Sequence, residues 1–288
     1  MRLLTYKSSK GARAGVLQPD NQIVDLHDHN AQLPPSIKAI LEMGDKGLQL
    51  AKDAAQNGKP IAGDDHKLLP PVMAPQKIIC VGLNYADHAA ETGAVVGEEP
   101  IIFCKFPTTL RGHKDSIEIP PESQQVDYEA ELVVVIGRRA RRVTQAQAME
   151  FVAGYTCGHD VSARDWQKHK PGKQWLLGKS FDSFAPVGPH LVTPDEIKDP
   201  GNLQVQFRLN RDLLQDSNTN QLIFSLEYLI SYLSQICTLL PGDMIFTGTP
   251  PGVGVARNPP IFLQPGDIAE VSVEGLGALL NPIVAAQT

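Results

Sequence analysis

Five aliphatic residues in succession, Leu132-Val-Val-Val-Ile136, mark a strand with no polar face, one that must be buried on both sides. Around it, 24 Gly and 23 Pro cut the chain into short apolar runs, a texture that favours strands over a helical bundle. Strands are expected at 78–81, 101–105, 129–136, 203–209, 244–247 and 268–273. Pro241-Gly-Asp and Pro265-Gly-Asp read as turns ahead of the last two. Helices are expected at 144–152, behind a Thr144 N-cap, and at 225–237. Strand and helix do not alternate strictly, which argues against a doubly wound parallel sheet. The expected class is β-rich α+β.

Residues 1–70 read as a small N-terminal α+β domain. Leu3–Tyr6, Ala14–Leu17 and Gln22–Leu26 are candidate strands, and 36–56 is a candidate helix through Ile37, Ile40, Leu41, Leu48 and Leu50. Three prolines mark 68–75 as a linker, which leaves 75–288 as the larger domain.

Hydrophobic residues at 42% and charged residues at 20% describe a globular chain and not a disordered one. The net charge is −6, and the longest basic run, Arg138-Arg-Ala-Arg-Arg142, reads as a solvated turn, so nucleic acid is not an expected partner. No stretch reaches the roughly 18–20 apolar residues of a membrane span. Met1–Lys7 lacks the apolar stretch of a signal peptide. Cys80, Cys104, Cys157 and Cys237 are widely spaced in apolar settings and read as buried free thiols. The expected location is cytoplasmic.

Chemistry concentrates in Asp127-Tyr-Glu-Ala-Glu131. Residues i and i+2 of a strand point the same way, so Glu129 and Glu131 project together. Two carboxylates at the edge of a dry core must protonate, pair or bind a cation, and a hard cation such as Mg²⁺ prefers oxygen ligands. An exposed strand end facing water accounts for the pair equally well. Asp160 ends the strand-like Ala153-Gly-Tyr-Thr-Cys-Gly-His159 and reads either as the N-cap of the following helix or as a third ligand. His88 and Glu91, three apart on a short helix, form a surface ion pair or an oriented base.

Five strings carry a resemblance. Val81-Gly-Leu-Asn-Tyr-Ala-Asp-His88, Asp127-Tyr-Glu-Ala-Glu131, His159-Asp-Val-Ser-Ala-Arg-Asp-Trp-Gln167, Gly178-Lys-Ser-Phe-Asp182 and Thr247-Gly-Thr-Pro-Pro-Gly-Val-Gly254 run in order from about residue 77. Together they closely resemble the fumarylacetoacetate hydrolase family, and Gln174–Asp182 looks like its mitochondrial-type proteins and their bacterial relatives. The resemblance implies a mixed β-sandwich roll, usually a homodimer. It implies Glu129, Glu131 and Asp160 as ligands of Mg²⁺, Mn²⁺ or, less readily, Ca²⁺. His88 and Glu91 become a water-activating pair on a lid, and Lys179 a stabiliser of negative charge. Tyr85, Lys105, Arg164 and Gln167 become candidate pocket residues, and Gly248 and Thr249 a clamp for a substrate carboxylate. Three carboxylates without His or Cys disfavour zinc. The Thr247–Gly254 loop lacks the ending of a phosphate loop, so no nucleotide cofactor is expected.

The implied substrate is a small 2-oxo acid. Its carboxylate and 2-oxo oxygen suit a bound cation, which stabilises enolate character at C3. For a 2,4-dioxo acid, water activated by His88 and Glu91 would attack C4 and break the C3–C4 bond, giving pyruvate and a carboxylic acid. This hydrolysis is the leading expectation; the alternative is that the same site tautomerises or decarboxylates oxaloacetate. A non-catalytic metal-binding protein on this fold is a third reading.

Overall fold

The computed structural model describes residues 1–62, 66–172 and 174–286. At its centre is the strand Ala130–Ile136, buried at every position. Side chains alternate between the faces of a strand. Leu132, Val134 and Ile136 join a core with Val205, Phe207, Val271, Val273 and Leu279. Val133 and Val135 join a second core with Ile37, Ile40, Leu41 and Ala51. Both faces are therefore covered. Truncating a side chain such as Leu132 to Ala would cost about 2–5 kcal/mol.

Among the described residues, eleven strands form the main sheet. Its order runs Ile23–Asp25, Gly11–Leu17, Arg2–Ser8, Ala185–Val192, Val152–His159, Ala130–Ile136, Met244–Phe246, Ile78–Gly82 and Ile101–Lys105; Leu68–Leu69 pairs with Arg2–Ser8, and Leu110–Arg111 with Ala185–Val192. Most pairs are antiparallel, but Met244–Phe246 runs parallel to Ile78–Gly82. A second sheet orders Asp212–Asn218, Gln204–Leu209, Ile268–Val273, Gly277–Ala285 and Ile117–Ile119. It packs over the middle strands of the first. The architecture is the sheet-rich, mixed α+β fold expected, with minor helices. Among the described residues no helix is long and apolar enough to cross a membrane.

The N-terminal strands extend the main sheet, because Arg2 and Leu3 pair with Val192 and Leu191. The expected helix at 36–56 is two helices, Ile37–Glu42 and Asp45–Asn57, broken at Gly44, whose φ of 62° lies in the left-handed region. The expected linker carries the short strand Leu68–Leu69. Two central elements give little local signal. Ala185–Val192 contains Pro186, Gly188 and Pro189, and Gly277–Ala285 contains Pro282, residues that argue against a strand until neighbours hold them there. The cysteines also need correction: Cys80 and Cys157 are buried, whereas Cys104 is exposed and Cys237 partly so. Cys104 lies on Ile101–Lys105, the strand at one end of the main sheet's order, whose first four residues are exposed or half-buried.

Candidate active site

Register assembles the acids. Ala130 faces His159 and Glu131 faces Gly158 in the antiparallel pair, and the Asp160 N–H donates to the Glu129 carbonyl at 2.9 Å. Directly opposed residues project to the same side, and Glu131 is two residues from Glu129. All three side chains therefore converge: one oxygen from each of Glu129, Glu131 and Asp160 lies within 4.8 Å of the others, and all three residues are buried.

Cations surround them. Lys179 Nζ lies 2.7 Å from Glu129 Oε2 and 2.9 Å from Asp160 Oδ2. Lys179 ends the short helix Trp175–Lys179, which sits close against Arg164–His169; a Cβ at Gly178 would come within 2.7 Å of the Gln167 nitrogen. Arg164 bridges Asp127 at 2.7 Å and Glu129 at 2.8 Å, and donates to Gln167 Oε1 at 3.0 Å. Asp127 also accepts from the backbone of Gly254 and Val255, which ties this cluster to the 247–254 loop. Lys105 is wholly buried beneath Asp160. Its Nζ is 2.6 Å from Asp160 Oδ1 and donates to the carbonyls of Val161, Lys179 and Phe184.

The charges are unevenly matched. Burial works to raise the Glu129 carboxyl, but Lys179 and Arg164 overturn it and hold it down at about 2. For Glu131, burial comes first and the Asp160 and Glu129 charges add to it, pushing the carboxyl well above its usual range. Its partner is the Gly248 N–H, which donates to Oε2 at 2.8 Å. Burial opposes the Lys179 charge, yet Asp160 and Glu129 raise its pKa. Burial lowers that of Lys105 despite Asp160.

A metal fits this arrangement. Asp160 Oδ1 is buried and accepts no well-directed hydrogen bond, although Lys105 lies close. Glu131 has no cationic partner among the described residues. Glu131, a carboxylate without such a partner, lies within one ion's span of two further acids, an all-oxygen donor set suited to a hard divalent cation.

A cavity of about 290 Å³ opens above the acids, lined by Glu129, Glu131, His88, Arg164, Gln167, Lys179 and Thr249 among polar residues. Its apolar wall is Val81, Phe103, Trp175, Val253 and Val255. His88 and Glu91 lie on the helix Ala86–Thr92; His88 Nδ1 is 3.1 Å from Glu91 Oε2, and Gly252 N–H donates to Glu91 Oε1 at 3.0 Å. With Nδ1–H facing Glu91, the other ring nitrogen is the acceptor.

Three expected pocket residues do not line this cavity. Tyr85 is fully buried with its hydroxyl unpartnered, Lys105 lies under the acids, and Gly248 offers its N–H to Glu131. Thr249 does line it, while donating to the Ala130 carbonyl at 2.9 Å. Sequence reasoning missed Trp175, Phe103 and Lys168. Lys168 lies four residues beyond Arg164 on one helix, a spacing that signals a shared face. Partial desolvation at the cavity wall, then the neighbouring Arg164 charge, lowers its pKa, although much of the residue is exposed.

Residues 77–284 match the model of the fumarylacetoacetate (FAA) hydrolase C-terminal domain. The chain belongs to the fumarylacetoacetate hydrolase family. Among family members, the mitochondrial oxaloacetate tautomerase fahd2 of Xenopus laevis is 50% identical over 288 residues, covering 99% of this chain and 90% of that protein. A putative HpcE protein from Mycobacterium smegmatis has a crystal structure that superposes with a TM-score of 0.90 at 38% identity, over the whole of both chains. Maleylpyruvate hydrolase from Sphingobium sp. SYK-6, in complex with manganese(II) ion and pyruvate, superposes at 0.83 with 28% identity, again over both whole chains. These family relatives correct the expected location. Relatives from frog, cow and human are named as mitochondrial, which points away from a plain cytoplasmic protein. The reasoning failed because import signals are amphipathic and Arg-rich, so a missing apolar stretch does not speak to them.

Proposed function

We propose that this enzyme is a divalent-metal-dependent oxaloacetate tautomerase, a reading that replaces C3–C4 hydrolysis as the leading one. The observation that carries it is His88, paired with Glu91, lining one small cavity together with Glu129 and Glu131, which share a metal-competent cluster with Asp160. The near-full-length likeness to a protein named oxaloacetate tautomerase supports the choice of reaction.

Tautomerisation moves one proton. In the keto-to-enol direction the C3–H bond breaks, the C2=C3 double bond forms, and the C2 oxygen gains a proton. His88, oriented by Glu91, takes the C3 proton through its free ring nitrogen. Glu129, Glu131 and Asp160 would hold the cation, with Mg²⁺ or Mn²⁺ the best match to three carboxylates, and the ion supplies positive charge where negative charge develops on the 2-oxo acid. Lys179 fixes Glu129 and Asp160 and adds its own field to the same end of the cavity. Val81, Phe103 and Trp175 limit water around C3.

Hydrolysis remains the second reading, favoured by the likeness to a maleylpyruvate hydrolase. It requires a water at C4 in addition to the same cluster. The deciding experiment follows enol absorbance of oxaloacetate, and release of pyruvate from acylpyruvates, with Mg²⁺, with Mn²⁺ and after chelation. Metal-dependent loss of enol far above the spontaneous rate is expected. Pyruvate release without accelerated tautomerisation would overturn the proposal in favour of hydrolysis.

A further inference from the structure

Among the described residues, four cationic side chains lie around the acids and their cavity, and three are engaged. Arg164 pairs with Asp127 and Glu129, Lys179 with Glu129 and Asp160, and Lys105 with Asp160. Lys168 lines the same cavity, is exposed, and has no carboxylate within ion-pair distance among the described residues. It sits one helical turn from Arg164, whose own charge is already taken up by Asp127 and Glu129.

We propose that Lys168 is the specificity-determining residue of the site and receives the distal carboxylate of a dicarboxylic 2-oxo acid. This rests on the reading of the site as one for 2-oxo acids. Charge balance supports it. Asp127, Glu129, Glu131 and Asp160 outnumber Arg164, Lys179 and Lys105 by one, so a bound divalent cation leaves one net positive charge. That charge offsets one substrate carboxylate. A second carboxylate needs another cation, and the wall of Val81, Phe103, Trp175, Val253 and Val255 offers none. Lys168, beside Gln167, is the cation at the cavity wall whose charge is uncommitted. A neutral acyl chain would gain nothing from it, so Lys168 separates dicarboxylates from monocarboxylates.

The test compares wild type, Lys168→Met and Lys168→Arg by calorimetry with Mg²⁺ present. The ligands are 3,3-difluoro-oxaloacetate, which has no C3 proton to lose, 2-oxobutyrate, and oxalate as a probe of the metal end alone. In Lys168→Met the preference for the dicarboxylate over 2-oxobutyrate should fall by about 10- to 100-fold, the range for one charge-assisted hydrogen bond. Lys168→Arg should restore most of it. An unchanged preference, or equal weakening of all three ligands, overturns the inference. The parent reading fails separately: wild type that binds the dicarboxylate through Lys168 yet leaves the oxaloacetate tautomer ratio to relax at the spontaneous rate is not a tautomerase.

Discussion

Asp160 donates its backbone N–H to the Glu129 carbonyl at 2.9 Å, one step beyond the ladder that pairs Ala130 with His159. Strand register, and not a flexible loop, therefore sets the spacing of these two acids. Their carboxylates sit on the end of a rigid sheet, a placement that keeps a charged cluster organised at the cost of mutual repulsion.

Glu131 carries most of that repulsion, so its removal separates metal binding from folding. Glu131→Gln should leave the melting temperature of the metal-free protein unchanged or higher. It should weaken Mg²⁺ binding by more than about 100-fold, beyond the usual effect of changing a residue behind the ligands, and abolish the Mg²⁺-dependent rise in melting temperature. Thermal scans with and without Mg²⁺ give the answer; a full metal-dependent rise in the variant would remove Glu131 from the ligand set.

The pH dependence of the metal-free protein has a definite sign. The folded pKa of Glu131 is raised, so its contribution is complete below the ordinary Glu value of about 4.3 and is lost as pH climbs through the folded value. Glu129 behaves oppositely. Held at about 2, it contributes above the ordinary value and loses that contribution as pH falls towards 2. Urea midpoints of the chelated protein should therefore decline with rising pH above the ordinary carboxyl range, and decline less in Glu131→Gln. Identical slopes in the two proteins would contradict the assignment.

Lys105 is structural in its geometry, with three carbonyls and Asp160 around a fully buried ammonium. Lys105→Met leaves Asp160 short of a counter-charge and should cost about 3–5 kcal/mol in chemical denaturation, the usual penalty for breaking a buried pair. A loss under about 1 kcal/mol would mean that the pair is already compensated by water. Added Mg²⁺ should recover part of the loss, because the ion supplies charge to the same carboxylate.

His88→Ala should reduce kcat on oxaloacetate by about 10²- to 10⁴-fold, the range of a general base, with Mg²⁺ affinity unaltered. Glu91→Gln should give a smaller loss, since it removes the orienting charge and leaves the imidazole. Stopped-flow decay of the enol, with calorimetric metal titration beside it, measures both. Wild-type kcat in His88→Ala would place the base elsewhere.

Local pattern decided a good deal. Leu132–Ile136 demanded cover on both faces and received it from two separate cores. The two-residue spacing of Glu129 and Glu131 put both on one face, and the three-residue spacing of His88 and Glu91 put their side chains in contact. Asp160 was legible only as an N-cap or a ligand, and the choice awaited its strand partner. Lys105 read as a pocket residue, because the end of a strand carries no mark of which layer will cover it; the chain at 161, 179 and 184 closed over it. Lys168 and Trp175 carried no local signal of the cavity they line, which forms where two short helices meet at Gly178. Ala185–Val192, with two prolines, holds a central place by pairing with Arg2–Ser8 and Val152–His159, strands far apart in sequence. Periodicity and spacing are properties of a few consecutive residues, so the sequence alone determined which side chains point together. Which strands pair, and which charges meet across them, is set by long-range burial that no short segment contains, and only the tertiary structure could decide it.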